Sequence, residues 1–484
     1  MNDALGRTDP EGMPLYVDLD GCLVRGDTLV EMMLLELGRS PVTIVPMLVK
    51  LRGGRARLKA WLASRRLPDV TTLPYRGAVL ERIREARGKG RRVVLATACH
   101  EAWARPIAEH LGLFDDVLAT TDGLNLESDA KLARIEEDAG GVGFEYVGDS
   151  RADLPIFARA SRAGVIAGNR RLVRRVRRVC DDVVVVGRRP STGRALISAL
   201  RPHQWLKNVL ILMPALLAQV EPTVDVVLTL SLAVATFSLV ASSVYIINDA
   251  VDIETDRRHD TKRHRSMASG MLPVHYAPLI VTVLLGSSIS ASLIWLPGPF
   301  TAMLLGYFFL SLLYSTWLKR KLLIDVLLLA GLYTWRILAG GAAVGVPVSE
   351  WLLAMSAFAF TSLAFVKRYV ELMQTDELSE WLDGRGYMSN DLQSVGVFGA
   401  TSGFMAVLVL ALYLNSETVR ALYARPEVLW LVCPLLMYWF ARIWFLARRG
   451  DVHEDPLLFV LKDRVSLLVI LLTGVLGATA SVGF

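Results

Sequence analysis

Asn248, Asp249, Asp252 and Asp256 stand where a long apolar run, beginning near Val226, stops. On one helix Asp249, Asp252 and Asp256 fall at i, i+3 and i+7, so the spacing predicts three carboxylates on one face. Acids at that density at the end of a membrane helix are costly and mark functional sites. Hard oxygen ligands suit Mg²⁺, which is held by one or two carboxylates together with substrate phosphates. The sharper expectation is a Mg-diphosphate site at a membrane surface; the plainer one is a solvated acidic helix end. A second set of polar residues lies far upstream. Leu15 to Gly21 reads as a short buried strand ending in Asp18, Asp20 and a glycine turn, and Arg92 to Ala96 as a strand ending in Thr97. Phe144 to Val147 is a third strand, running into Gly148, Asp149 and Ser150, with Asp153 following. Helical patterns between these strands predict an α/β unit with a parallel sheet, whose ligands bind at the carboxyl ends of the strands.

These two sets need different scaffolds, and the composition supplies them. The 484 residues exceed one typical domain, and the 53% of hydrophobic residues is unevenly spread. Residues up to about 190 look soluble. From about Trp205 onward there are about nine segments near the roughly 20-residue length of a membrane span. They lie near 205–220, 226–247, 275–296, 299–317, 322–344, 350–366, 394–415, 428–446 and 465–484, the first being short. Met1 to Pro14 is polar, without the apolar core of a signal peptide, so the soluble part is expected on the side of synthesis. Cys22, Cys99, Cys180 and Cys433 are scattered without metal spacing and read as free thiols in a reducing compartment.

The net charge of +6 is modest and concentrated beside the spans, so no nucleic-acid partner is expected. Basic residues instead set topology. The arginine-rich segment before the first span, the Arg257 to Arg265 loop, Lys319 to Lys321, Lys367 with Arg368, and Arg448 with Arg449 fall on alternate connections. The intervening connections are poor in Lys and Arg. This predicts a multi-pass protein of the inner (cytoplasmic) membrane, with the N-terminal domain cytoplasmic and, for nine spans, the C-terminus outside. Asn169 to Val179 carries paired arginines and reads as a basic helix held at anionic headgroups.

The four upstream elements, Asp18 with Asp20, Thr97, Lys131 and Asp149 with Asp153, resemble the haloacid-dehalogenase superfamily over about residues 13–187. The resemblance implies Asp18 as nucleophile, Asp20 as general acid/base, Thr97 on the phosphoryl group, and Lys131 neutralising charge. It implies Mg²⁺ held among Asp18, Asp20, Asp149 and Asp153, and a small helical cap at about 25–85. Residues 188–200 read as a linker. Lys207 and Asn208 before the first span, together with Asn248–Asp256, resemble the UbiA-type intramembrane prenyltransferase superfamily over 201–484. Within it the likeness is to the decaprenyl-phosphate phosphoribosyltransferase branch. Lys262 with Arg263, Tyr314 with Lys319, Arg336 in Arg336–Gly341, and Lys367 with Arg368 point there. The expected fold is therefore a Rossmannoid α/β domain with a helical cap, followed by an all-α polytopic membrane domain.

Ordinary members of that superfamily carry a second aspartate-rich motif. Here the comparable region has Asp325, but Leu329 stands where a second carboxylate would be. That departure suits a donor whose diphosphate is held by one acidic helix plus cations. The implied reaction moves 5-phosphoribose from 5-phosphoribosyl 1-diphosphate to polyprenyl phosphate. Asp249, Asp252 and Asp256 would hold one Mg²⁺, with Asn248 as a ligand or anchor. Lys207, Asn208, Lys262, Arg263, Tyr314, Lys319, Asp325, Arg336, Lys367 and Arg368 would form the substrate contacts. The N-terminal domain would then remove the 5-phosphate, giving polyprenyl-phosphoryl-ribose for lipid-linked arabinose-type donors. Two alternatives stay open: transfer of a prenyl group from a prenyl diphosphate to an aromatic acceptor, and a non-catalytic N-terminal domain that recruits a phosphorylated partner. Membrane lipids are expected neighbours, and a homo-oligomer is compatible with the sequence.

Overall fold

The computed structural model describes residues 12–122, 124–167, 170–188, 192–374, 385–417, 419, 423–452 and 455–481. The chain forms two compact units. One takes Met1–Leu200 together with Tyr245–Thr282, and the other Arg201–Val244 with Val283–Phe484.

The first unit is built on a six-stranded sheet: β1 (Leu15–Val17), β2 (Val93–His100), β3 (Asp116–Thr120), β4 (Glu145–Gly148), β5 (Arg162–Ala167) and β6 (Val183–Arg188). All neighbours are parallel, in the order β3-β2-β1-β4-β5-β6. Every residue of β1 is buried, as expected for a central parallel strand covered on both faces. Leu15 pairs with Val93 on one side and with Glu145 on the other, so the carboxyl ends of β1, β2 and β4 lie side by side. Of the expected strands all three are present; β3, β5 and β6 flank them.

Four helices separate β1 from β2: α1 (Thr28–Arg39), α2 (Ile44–Arg52), α3 (Arg55–Ala63) and α4 (Gly77–Gly88). α4 packs on β2 and β6, so the insert corresponding to the expected cap is α1–α3. α1 starts where the Asp27 side chain accepts from the Val30 amide, satisfying an otherwise unpaired donor. α5 (Glu101–Leu111), α6 (Asp129–Ala139), α7 (Leu154–Arg159) and α8 (Arg170–Val176) complete the crossovers. The expected linker at 188–200 contains a helix, α9 (Thr192–Leu200).

The membrane part begins with α10 (Pro202–Trp205), a 3₁₀ stretch (Leu206–Leu212) and α11 (Met213–Leu217). These pieces are too short to count as the first expected span. Long helices follow: α12 (Val224–Val251), α14 (Ala277–Trp295), α15 (Gly298–Thr316), α16 (Ile324–Val344), α17 (Glu350–Met373), α18 (Leu392–Leu414), α20 (Val432–Arg449) and α22 (Arg464–Ser481). Short α13 (Ile253–Arg258), α19 (Pro426–Leu429) and α21 (Pro456–Lys462) lie between them. Among the described residues eight helices are long and apolar enough to cross a bilayer, which makes this a multi-pass membrane protein. The expectation of an outside C-terminus rests on nine crossings, and the eight qualifying helices do not supply that count.

Two glycine contacts matter for the second unit. A Cβ on Gly340 would lie 2.0 Å from the Ile211 carbonyl oxygen, so glycine lets the 3₁₀ stretch rest directly on α16. On α18, Gly399 and Gly403 face Trp444 and Phe440 of α20 at distances that leave no room for a side chain.

Candidate active sites

The first site lies at the carboxyl ends of β1, β2 and β4. Asp18 directly follows β1 and is buried, with the Leu19 amide donating to Oδ1 at 2.9 Å. Lys131, on α6, places Nζ 3.2 Å from Asp18 Oδ1 and 3.4 Å from Asp153 Oδ1. It also donates to the Tyr146 hydroxyl at 3.0 Å, and that hydroxyl donates to Asp153. Asp153 Oδ2 accepts from the Ser150 amide and hydroxyl. Asp18, Asp149 and Asp153 each offer an oxygen within 4.8 Å of the others. Three carboxylates facing one ammonium leave net negative charge in an all-oxygen cluster, which suits a hard divalent cation.

Both aspartates of the first turn are raised by burial. Burial pushes the Asp18 carboxyl up to about 6; the Lys131 charge opposes this and the Asp153 charge adds to it. Burial, with the Asp27 charge behind it, pushes Asp20 up to about 7. Burial works against the Lys131 ammonium, yet the charges of Asp18 and Asp153 lift it above its ordinary value. Burial thus raises both carboxyls toward neutrality, and only Asp18 has a lysine ammonium beside it to favour its ionised form. Asp20 Oδ1 accepts from the Thr28 amide at 2.8 Å and from the Thr28 hydroxyl, which fixes it to the start of α1. Asp20, also expected at the metal, has its carboxylate outside the group formed by Asp18, Asp149 and Asp153. Gly21, at φ 73°, makes the turn after Asp20, and the Arg76 guanidinium ties down the Gly21 and Cys22 carbonyls. Thr97 is buried in β2 and accepts from the Cys99 amide.

Sequence reading missed Tyr146, Ser150 and Lys59. Lys59, on α3 of the insert, is buried and donates to the Ala98 carbonyl at 2.6 Å and to Asn125 at 3.0 Å. It brings a cation from the insert to the residue after Thr97. A lysine in an arginine-rich helix carries no local signal for that role.

The second acidic set belongs to the same unit. α12 ends at Val251, Asp252 departs from helical geometry (φ −91°, ψ 15°), and α13 resumes at Ile253. The amides of Asp252 and Asp256 still donate to the Asn248 and Asp252 carbonyls, both at 2.8 Å, so helical spacing survives the break. Two of the three expected carboxylates, Asp249 and Asp256, meet at a single guanidinium. Arg265 Nη1 stands 3.3 Å from Asp249 Oδ1 and 2.6 Å from Asp256 Oδ2. Two buried acids so close need a cation, and the guanidinium provides one. With one guanidinium between two buried carboxylates the set stays net negative and oxygen-rich, so its residues still fit Mg²⁺. Lys262 and Arg263 follow on a 3₁₀ turn (Lys262–His264), Arg263 exposed.

α13 is also pinned to the insert. Arg257 forms a buried bidentate pair with Glu31 of α1, and its Nε donates to the Ala268 carbonyl at 3.0 Å. Arg66 reaches Glu254 at 2.8 Å, and Arg258 reaches Asp69 at 2.8 Å.

The second unit holds the remaining expected contacts in two groups. In the first, Lys207 Nζ lies 2.6 Å from Asp455 Oδ2, with Lys367 at 3.8 Å from the same oxygen. Burial works against ionised Asp455, but Lys207 and Lys367 hold its carboxyl down at about 2. Asn208 donates to Ser238 and accepts from Arg336 Nε at 2.9 Å. Arg336 donates its other nitrogens to the Leu332 carbonyl and the Tyr307 hydroxyl. Arg336, expected to clamp substrate, is held by Asn208, Leu332 and Tyr307. Beside Asp455 lies an open cavity of about 700 Å³, lined also by His203, Gln204, Leu206, Leu458 and Lys462.

In the second group, Asp325 and Arg368, both expected at substrate, meet each other at 2.9 Å with no side-chain exposure. The charges touch, although Asp325 Oδ2 and Arg368 Nε and Nη2 lack a well-directed hydrogen bond. Tyr387 donates to Asp325 Oδ1 at 2.7 Å, and Arg368 also pairs with Glu371. A buried charge must find a partner, and this pair satisfies that need inside the protein. Arg385 contacts Tyr314 and the Lys319 carbonyl, both at 3.2 Å, linking two expected residues through an unexpected one.

Comparison with known proteins agrees with both halves. The UbiA prenyltransferase family model matches residues 208–465, and the haloacid dehalogenase-like hydrolase model matches residues 47–158. The chain is 36% identical to uncharacterized protein y4nM of Sinorhizobium fredii, over 94% of this chain and 89% of that protein. It is 36% identical to nodulation protein NoeC of Azorhizobium caulinodans, over 56% of this chain and 89% of the relative. Against the decaprenyl-phosphate phosphoribosyltransferase of Mycolicibacterium smegmatis it is 31% identical, over 58% of this chain and 91% of the relative. With its long apolar helices, its acidic motif and these matches, the chain belongs to the UbiA prenyltransferase family and carries a haloacid dehalogenase-like domain ahead of it.

Proposed function

We propose that the protein is a two-step membrane enzyme that transfers 5-phosphoribose from 5-phosphoribosyl 1-diphosphate to polyprenyl phosphate and then removes the 5-phosphate. The observation that carries the transfer reading is the fate of Asp325. It is buried against Arg368, and Leu329 follows at the spacing where a second acidic ligand would stand. One acidic set plus cations suits a phosphoribosyl donor better than a prenyl diphosphate needing two acidic motifs. The likeness to a decaprenyl-phosphate phosphoribosyltransferase over nine-tenths of that relative supports the same choice.

In the transfer step a lipid phosphate oxygen bonds to C1 of the donor as the C1–O bond to diphosphate breaks. Asp249, Asp252 and Asp256 would hold Mg²⁺, which neutralises the leaving diphosphate. Lys207 and Lys367, oriented by Asp455, and Lys262, Arg263 and Lys319 are the cations proposed to bind the phosphates. In the second step the Asp18 carboxylate attacks the 5-phosphate, Asp20 protonates the departing ribose oxygen, and Asp20 then takes a proton from the water that hydrolyses the aspartyl-phosphate. Asp18, Asp149 and Asp153 would hold a second Mg²⁺ that offsets phosphate charge; Lys131, Thr97 and Lys59 position the group. The alternation of basic and non-basic loops supports both sites lying on the cytoplasmic side of the inner membrane, where soluble phosphoribosyl donor is available. Tethering raises the effective concentration of the intermediate at the hydrolase.

Purified full-length protein, given labelled 5-phosphoribosyl 1-diphosphate and polyprenyl phosphate, should put pentose label into the organic phase. Asp249→Asn should abolish this, and Asp18→Asn should leave the phosphorylated lipid. Absence of labelled lipid, with turnover of a prenyl diphosphate and an aromatic acceptor instead, overturns the reading.

A further inference from the structure

α2 (Ile44–Arg52) does not look like a helix of a soluble domain. Its one buried residue is Met47. Ile44, Val45, Leu48, Val49 and Leu51 are 43–61% exposed, and Val42 just before the helix is 77% exposed. The five helical positions are i, i+1, i+4, i+5 and i+7, which share one broad face. Soluble surfaces scatter such residues singly; a contiguous apolar face has a partner. Lys50, Arg52 and Arg57 are exposed at or just beyond the end of α2, and the chain has no Asp or Glu from Leu37 to Pro68. An apolar face rimmed by basic residues without acids matches a bilayer surface carrying anionic headgroups.

The position of α2 supports the same partner. α1, which leads into it, packs on the ends of two membrane spans within the same unit. A Cβ on Gly38 would lie 2.6 Å from Val251 Cγ1, at the last residue of the span Val224–Val251. α1 also contacts Val274–Tyr276, where the span Val274–Trp295 begins. Val42 is four residues beyond Gly38, and four residues reach at most about 14 Å. The apolar face is therefore within reach of the headgroup layer at which those two spans end.

We infer that α2 is an interfacial helix that inserts Val45, Leu48 and Val49 into an anionic bilayer and holds the helical insert of the hydrolase domain on the membrane surface. Joined to the function proposed above, on which this clause rests, the insert meets a phosphoester that arrives attached to a lipid. The insert also carries Lys59, so docking brings the hydrolase site and the headgroup layer together.

The four native cysteines are buried, so a fluorophore can be placed selectively at Val45→Cys in the full chain. In phosphatidylcholine–phosphatidylglycerol vesicles containing brominated acyl chains, that label should be quenched. A label at Val142→Cys, exposed in the loop before β4, should not. Adding Leu48→Asp and Val49→Asp should remove the quenching. An unquenched Val45→Cys label overturns the inference, as does quenching that requires a second labelled copy of the chain instead of brominated lipid. The same double substitution should leave hydrolysis of a soluble sugar phosphate unchanged while raising KM for the lipid-linked substrate about tenfold. If the wild type hydrolyses no lipid-linked substrate, the functional reading fails, whereas the quenching result still decides the docking.

Discussion

The pair Glu31–Arg257 allows a quantitative test of how α13 is held. Both side chains are nearly sealed, 3% and 4% exposed, and the contact is bidentate with Arg257 also bonded to the Ala268 carbonyl. Neutralising Glu31 as Glu31→Gln leaves a guanidinium in a place that water does not reach. Breaking a buried pair on one side costs about 3–5 kcal/mol. Arg258–Asp69 ties α13 instead to the loop after α3, with an arginine 64% exposed, and such a pair contributes at most about 1 kcal/mol. Hydrogen exchange of the full chain in detergent reads the difference at the amides of Thr28–Arg39 and Ile253–Arg258. At roughly 1.4 kcal/mol per tenfold, Glu31→Gln should speed exchange there by at least about 100-fold, and Asp69→Asn by no more than about fivefold. The double variant Glu31→Leu with Arg257→Met removes both charges and should recover most of the protection. Because Thr28 holds Asp20 at one end of α1 and α13 carries Asp256, Glu31→Gln should also lower both proposed activities. Equal acceleration by Glu31→Gln and Asp69→Asn, or a double variant worse than the single, would refute the assignment of α13's anchorage to this pair.

Three further outcomes are expected. Asp18→Asn should accumulate lipid-linked phosphopentose, seen by mass spectrometry, with transfer unimpaired. Asp455 has its carboxyl held at about 2 against an ordinary 3.8, so its ionised form contributes about 2 kcal/mol that is fully present above pH 4 and lost as pH falls toward 2. The thermal stability lead of wild type over Asp455→Asn should therefore be constant from pH 8 to 5 and shrink below 4, and the variant should show a raised KM for the phosphorylated substrates. Gly340→Val has no space beside the Ile211 carbonyl; the clash should cost about 1–3 kcal/mol and displace Asn208, measured as lost transfer with hydrolysis retained.

Much of the hydrolase site was legible because its residues follow local rules. Asp18, Thr97 and Asp149 sit in or directly after buried apolar strands, and parallel sheets collect ligands at those ends. Lys131 was recognisable only through the family pattern. Tyr146 and Ser150 were not marked, since a tyrosine in a strand reads as core and a serine in a turn as a turn. Lys59 and Arg265 were missed for a stronger reason: each is brought to its partner by a fold-back that no periodicity records. Asp455 was missed too, because an aspartate before a proline reads as a helix cap, a role it also fills at Leu457.

The order of residues alone determined the two-part architecture, since a run of apolar residues long enough to span a bilayer cannot be anything else in quantity. It also determined which acids are available for metal and phosphate chemistry. The tertiary structure decided which charges face one another. Asp325 and Arg368 neutralise each other, Arg336 braces Asn208, Arg265 stands between Asp249 and Asp256, and α2 is left with its apolar face uncovered. Charge pairing and burial act through space, here across 9 to 128 residues of chain, and so lie outside what local spacing can express.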